Sequence, residues 1–147
     1  MTLVSEIMST DVQTVGPEQS LRDAAQLMDR LNVGSLPVCA GRQIVGMVTD
    51  RDITVRGTAA GLTPDGGCVS DVMSPELRWC TADQDVEAVM DTMSDAQVRR
   101  LPVINLQREL VGIVALGDIA TKSPNHVDDA VREISTPSQA DGGAHNA

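Results

Sequence analysis

Phenylalanine and tyrosine are absent from this 147-residue chain, and Trp79 is its single tryptophan. A core built from such a sequence must be aliphatic, drawn from Val, Leu, Ile, Ala and the seven Met. The same scarcity speaks against single-stranded nucleic acid as a ligand, because stacking recognition needs several aromatic platforms. Positive charge is also short: 11 Lys and Arg stand against 21 Asp and Glu, giving a net charge of −10. That balance opposes non-specific nucleic-acid binding, which runs on phosphate neutralisation by Lys and Arg. Its plain meaning is a solvated acidic surface.

Cysteine and histidine are few. Cys39, Cys68 and Cys80 form an odd set without CxxC spacing, and His126 and His145 stand near the C-terminus. Neither a zinc site nor a Cys–His nucleophile pair is expected from them. Reduced, mostly buried thiols suit a cytoplasmic protein. The opening Met1–Glu6 has no basic region leading into an apolar run, so no signal peptide is expected. No apolar stretch approaches the roughly 18 residues of a membrane span. With 41% hydrophobic residues, the length predicts one domain-sized core rather than several.

What is present is a duplication. Val4-Ser5-Glu6-Ile7-Met8-Ser9 returns 65 positions later as Val69-Ser70-Asp71-Val72-Met73-Ser74, and Leu36-Pro37-Val38 returns as Leu101-Pro102-Val103. After one insertion the spacing is 66, at Gly46/Gly112, Val48/Val114 and Asp52-Ile53/Asp118-Ile119. Two long copies do not suit an open solenoid, which needs three or more units to bury a continuous core. They suit a pair of related units.

Each copy predicts a mixed α/β unit in the order β-α-β-β-α. Val12–Val15 is a short strand closed by Gly16-Pro17. Ser20 caps a helix with apolar residues at Leu21, Ala24, Ala25, Met28 and Leu31, and Asp23 has capping-box spacing. Asp85 caps its counterpart, with Val86, Val89, Met90, Met93 and Ala96. Two strands follow, Leu36–Cys39 and Ile44–Val48, turning at Ala40-Gly41-Arg42. The last helix opens at Thr49 or Asp50, and near Ala115 in the second copy. The boundaries are 1–57 and 69–123 for the repeats, a linker at 58–68, a short amphipathic helix at 124–135, and a disordered tail at 136–147.

Val-x-x-Leu-Pro-Val together with Gly46-Met47-Val48-Thr49-Asp50-Arg51-Asp52-Ile53, set in a duplicated β-α-β-β-α unit, resembles a tandem pair of cystathionine-β-synthase (CBS) domains, the Bateman module. The resemblance covers about residues 4–122 and is nearest to small stand-alone bacterial pairs. It implies adenosine nucleotides or related adenosyl ligands held in clefts between repeats, no required cofactor, and pairing into a disc-shaped homodimer.

The resemblance also assigns residues. Asp52 is to accept hydrogen bonds from both ribose hydroxyls, and Thr49 to contact ribose or phosphate. Thr14 matches a position near the adenine. Arg99 and Arg100, where the first copy has Gly34 and Ser35, are to hold phosphates. The second copy keeps the acid as Asp118 but has Ala115 for the hydroxyl, which marks an impaired site, and its Trp79 in place of Thr14 is to narrow that pocket or stack on a ligand within it. Each residue has a plainer explanation. Thr49 and Asp52 also form a capping box, the Arg pair also fits a solvated strand end, and Trp79 also fits a core filler. The expected function is a non-catalytic, ligand-dependent regulatory switch in a stress or energy response, acting on an unidentified protein partner. A ligand-free dimeric scaffold is the alternative.

Overall fold

The computed structural model describes residues 1–122; the expected helix at 124–135 and tail at 136–147, with both histidines, lie outside the described residues. In chain order the elements are α1 (Val4–Ile7), α2 (Leu21–Leu31), β1 (Ser35–Ala40), β2 (Gln43–Thr49), α3 (Asp50–Asp52), α4 (Val69–Val72), α5 (Val86–Ala96), β3 (Arg100–Ile104), β4 (Leu110–Ala115) and α6 (Leu116–Lys122). A π-helical segment, Ile53–Thr58, continues α3 without a break.

The described residues divide into two compact units, Gln13–Leu77 on one side and Met1–Val12 with residues 78–122 on the other. We call them the first-repeat and second-repeat units. Each has its own aliphatic core, so two cores form where composition predicts one.

In the first-repeat unit β1 and β2 pair antiparallel across a tight turn at Gly41, whose φ of +65° favours glycine. The Ser20 hydroxyl accepts from the Asp23 amide at 3.0 Å and starts α2. Leu21, Ala24 and Met28 are buried, whereas Ala25 and Leu31 of the expected stripe are exposed. In the second-repeat unit Asp85 caps α5 through the Glu87 amide, and Val86, Val89, Met90 and Met93 are buried beside the β3–β4 pair.

The expected strand at Val12–Val15 is reduced to one bridge. The Val15 amide donates to Pro37 and its carbonyl accepts from Cys39, and Cys80 does the same against Pro102 and Ile104 of β3. Gly16-Pro17 follows at once, and proline cannot continue the ladder.

The leading segment of each repeat packs in the unit of the other. Val4 and Ile7 of α1 are buried in the second-repeat core, and Val69 and Val72 of α4 in the first-repeat core. Ser9 then exchanges two backbone hydrogen bonds with Ile113 of β4, at 2.8 and 2.9 Å, and Ser74 two with Met47 of β2, at 2.9 and 3.0 Å. The segment between the repeats is likewise seated. Gly67 and Pro64 accept from the amides of Leu21 and Arg22, and the Arg22 guanidinium grips both Asp65 oxygens at 2.7 and 3.0 Å. That hydrogen bonding holds the Asp65 carboxyl below its ordinary range.

Candidate functional site

The junction between β2 and the helix after it is built by two residues acting on each other. Thr49 is extended, with φ −116° and ψ 163°, and its Oγ1 accepts from the Asp52 amide at 3.0 Å. Asp52 Oδ2 accepts in return from the Thr49 amide at 2.9 Å. Each partner satisfies a backbone donor that the helix start leaves without an intrahelical acceptor. Both side chains are half-buried, and Asp52 Oδ1 accepts no hydrogen bond among the described residues. A carboxylate with an open oxygen at a helix start can receive hydroxyl donors from a ligand.

The second junction has half of this arrangement. Asp118 Oδ2 accepts from the Ala115 amide at 3.3 Å, and Ala115 has no hydroxyl to answer. Around it the positive charge differs. Arg100 lies directly across the strand pair from Ala115, where Ser35 faces Thr49 in the first-repeat unit. The Arg99 carbonyl accepts from the Leu116 amide at 2.8 Å, as Gly34 accepts from Asp50 at 2.9 Å. The Arg100 guanidinium makes no ion pair among the described residues.

The expected site residues therefore fall into two groups. Thr14, Thr49 and Asp52 belong to the first-repeat unit, and Arg99, Arg100 and Asp118 to the second-repeat unit. Thr14 is exposed, one residue before the Val15 bridge on the β1 edge away from β2. Trp79, its counterpart, is 46% exposed. Among the described residues no three His, Cys, Asp or Glu side chains gather to hold a metal ion, and no helix is long and apolar enough to cross a membrane.

One contributor is not recognised as such in the sequence. Gly46 and Gly112 belong to the ligand-motif pattern, yet their need for glycine comes from the exchanged segments. A Cβ on Gly46 would lie 2.7 Å from the Ser74 carbonyl and 3.1 Å from Met73 Sδ; one on Gly112 would lie 2.9 Å from the Ser9 carbonyl and from Met8 Sδ. The signal for this is the matched recurrence of Met-Ser and Gly in both copies.

Two cores on one plan, with a strand-to-helix acid at the same place in each, agree with the family comparison. The chain belongs to the CBS-domain family, whose model matches residues 4–56 and again 69–125. It is 46% identical over 121 residues to the CBS domain-containing protein YhcV of Bacillus subtilis, covering 82% of this chain and 84% of that one. To hypoxic response protein 1 of Mycobacterium tuberculosis it is 37% identical over 139 residues, covering 93% and 96%. The crystal structure of Hypoxic Response Protein I with two coordinated zinc ions is 37% identical and superposes with a TM-score of 0.76, covering 84% of this chain and all of the other. The CBS domain pair of protein MJ0100, solved with 5′-methylthioadenosine and S-adenosyl-L-methionine, is 27% identical with a TM-score of 0.71, covering 82% of this chain and 98% of that one.

Proposed function

We propose that this CBS pair is a regulatory module that binds an adenosine-bearing small molecule and changes its packing in response. The observation that carries the proposal is the asymmetry of the two junctions: a reciprocal Thr49–Asp52 pair with an open carboxylate oxygen, against the single longer bond of Asp118. In this reading Asp52 takes the ribose hydroxyls, Thr49 the ribose or phosphate, and Thr14 lies near the base. Arg99 and Arg100 supply the charge for phosphates in an otherwise acidic protein. Asp118 marks the weaker site. The adenosyl ligands of the MJ0100 pair support the class of ligand. The kinship with a hypoxic response protein supports a role in stress adaptation. No catalytic step is assigned; the module works as a cytoplasmic homodimer read by a protein partner.

A scaffold without ligand is favoured by one specific fact: Thr49 and Asp52 satisfy each other as helix caps. Calorimetry of the full chain with AMP, ADP, ATP, NADH and S-adenosylmethionine separates the two. Saturable binding of one molecule per chain supports the sensor. No heat with any of the five supports the scaffold.

A further inference from the structure

The last helix of each repeat reaches the exchanged helix packed beside it in the same way. Arg56 Nη1 donates to the Val72 carbonyl, the last residue of α4, at 3.3 Å. Lys122 Nζ donates to the Ile7 carbonyl, the last residue of α1, at 3.5 Å. Arg56 and Lys122 are 66 positions apart and Ile7 and Val72 are 65 apart, the spacings of the duplication itself. The two cations differ in shape, so charge and reach are what recur.

The need for that cation is physical. A helix leaves its last carbonyls without intrahelical donors and its end partly negative. Neither α1 nor α4 has a basic residue in its own last turn. The charge comes from the helix that starts at the acid of the junction: Arg56 stands four residues after Asp52, and Lys122 four after Asp118. Beside Arg56, Gly57 keeps the approach open, since a Cβ there would lie 2.9 Å from Leu21 Cδ1 and 3.7 Å from Val72 Cγ1. From α4 the chain continues to Ser74, which pairs with Met47 on β2, the strand that ends in Thr49. The contacts thus form a closed circuit that begins and ends at the junction.

We infer that Arg56 is a positioning residue for the Thr49–Asp52 junction, latching its helix to α4 so that occupancy of the junction is felt in the leading segment that carries α4 and Ser74, with Lys122 as the counterpart latch on α1. The transmission part rests on the ligand reading of Thr49 and Asp52; the latch does not.

Amide hydrogen exchange tests both. Without ligand, Arg56→Ala should speed exchange at Met73 and Ser74 about tenfold, the loss expected for one hydrogen bond from a charged donor. Arg56→Lys should stay near the parent, and Met8 and Ser9 should be unaffected. Lys122→Ala should show the reverse pattern. Equal exchange in Arg56→Ala and Arg56→Lys overturns the latch, whatever binds. With AMP or S-adenosylmethionine added, protection should reach Met73 and Ser74 in the parent and Arg56→Lys but not in Arg56→Ala. Protection that never reaches these amides, or reaches them in Arg56→Ala, overturns the transmission. If the parent binds neither probe, the transmission falls with the ligand reading, and the ligand-free comparison still decides the latch.

Discussion

Asp52 gives one carboxylate oxygen to its own helix and keeps the other open, so its replacement separates capping from binding. Hydrogen bonds to a charged acceptor contribute on the order of 1.5–3 kcal/mol, so Asp52→Ala should weaken nucleotide binding about tenfold to a hundredfold. Asp118→Ala, at the junction without a hydroxyl, should cost much less, and Arg100→Ala should weaken AMP or ATP while sparing adenosine. If Asp52 were only a cap, its variant would lose about 1 kcal/mol of stability in urea unfolding and bind as the parent does. The Thr49–Asp52 pairing was legible because its three-residue spacing is a physical requirement of a helix start. The Arg56 contact was not, because its acceptor is a backbone carbonyl 16 residues away that leaves no mark in side-chain identity.

A second residue-scale prediction concerns the thiols. Burial pushes Cys80 from its usual 9.0 up to about 12 and also raises Cys39. Both should resist a disulfide reagent in the native protein while the half-exposed Cys68 reacts, and all three should react once unfolded. Below about pH 9 the Cys80 thiol is protonated in both states and burial has its full effect. Above it the unfolded chain gives up the proton that the native chain keeps, so stability falls by about 1.4 kcal/mol per pH unit towards pH 12. Cys80→Ala, followed by alkaline unfolding, should lose much of that slope.

At the scale of elements, close approach distinguishes glycines that look alike in sequence. Gly46→Ala sets a Cβ against the Ser74 carbonyl, which is backbone and yields little, so it should destabilise by about 1–3 kcal/mol. Gly117→Ala, in α6 where an added Cβ meets nothing within 4 Å among the described residues, should instead stabilise by about 0.5–1 kcal/mol. Urea midpoints of the two variants check the sign. The amphipathic helices were legible through spacing and caps, since Ser20 and Asp85 both start helices where expected. The segment at 58–68 was not. Its Gly, Thr and Pro content describes a turn-forming chain, and nothing in composition reveals that Arg22 and Asp65 pin it to α2.

For the molecule as a whole, duplication was plain in the sequence and the exchange of leading segments was hidden. Val4 and Ile7 of one copy and Val69 and Val72 of the other are nearly the same apolar pair, so hydrophobic pattern cannot say which core receives which. Chain-level association gives a further prediction. Sedimentation at micromolar concentration should report twice the 15.5 kDa chain mass, unchanged by dithiothreitol because no disulfide is required. A monomer, or a dimer dispersed by reductant, would count against the homodimer.

The exchange also constrains how such a chain can be divided or descended. A solitary repeat would carry an apolar leader with no seat and a sheet edge with no cover, and two copies could each supply what the other lacks. Gene fusion of such a reciprocal pair would preserve the crossing and turn an association between molecules into one within a chain. Cutting this protein at its repeat boundary should therefore yield halves that fold together and fail apart.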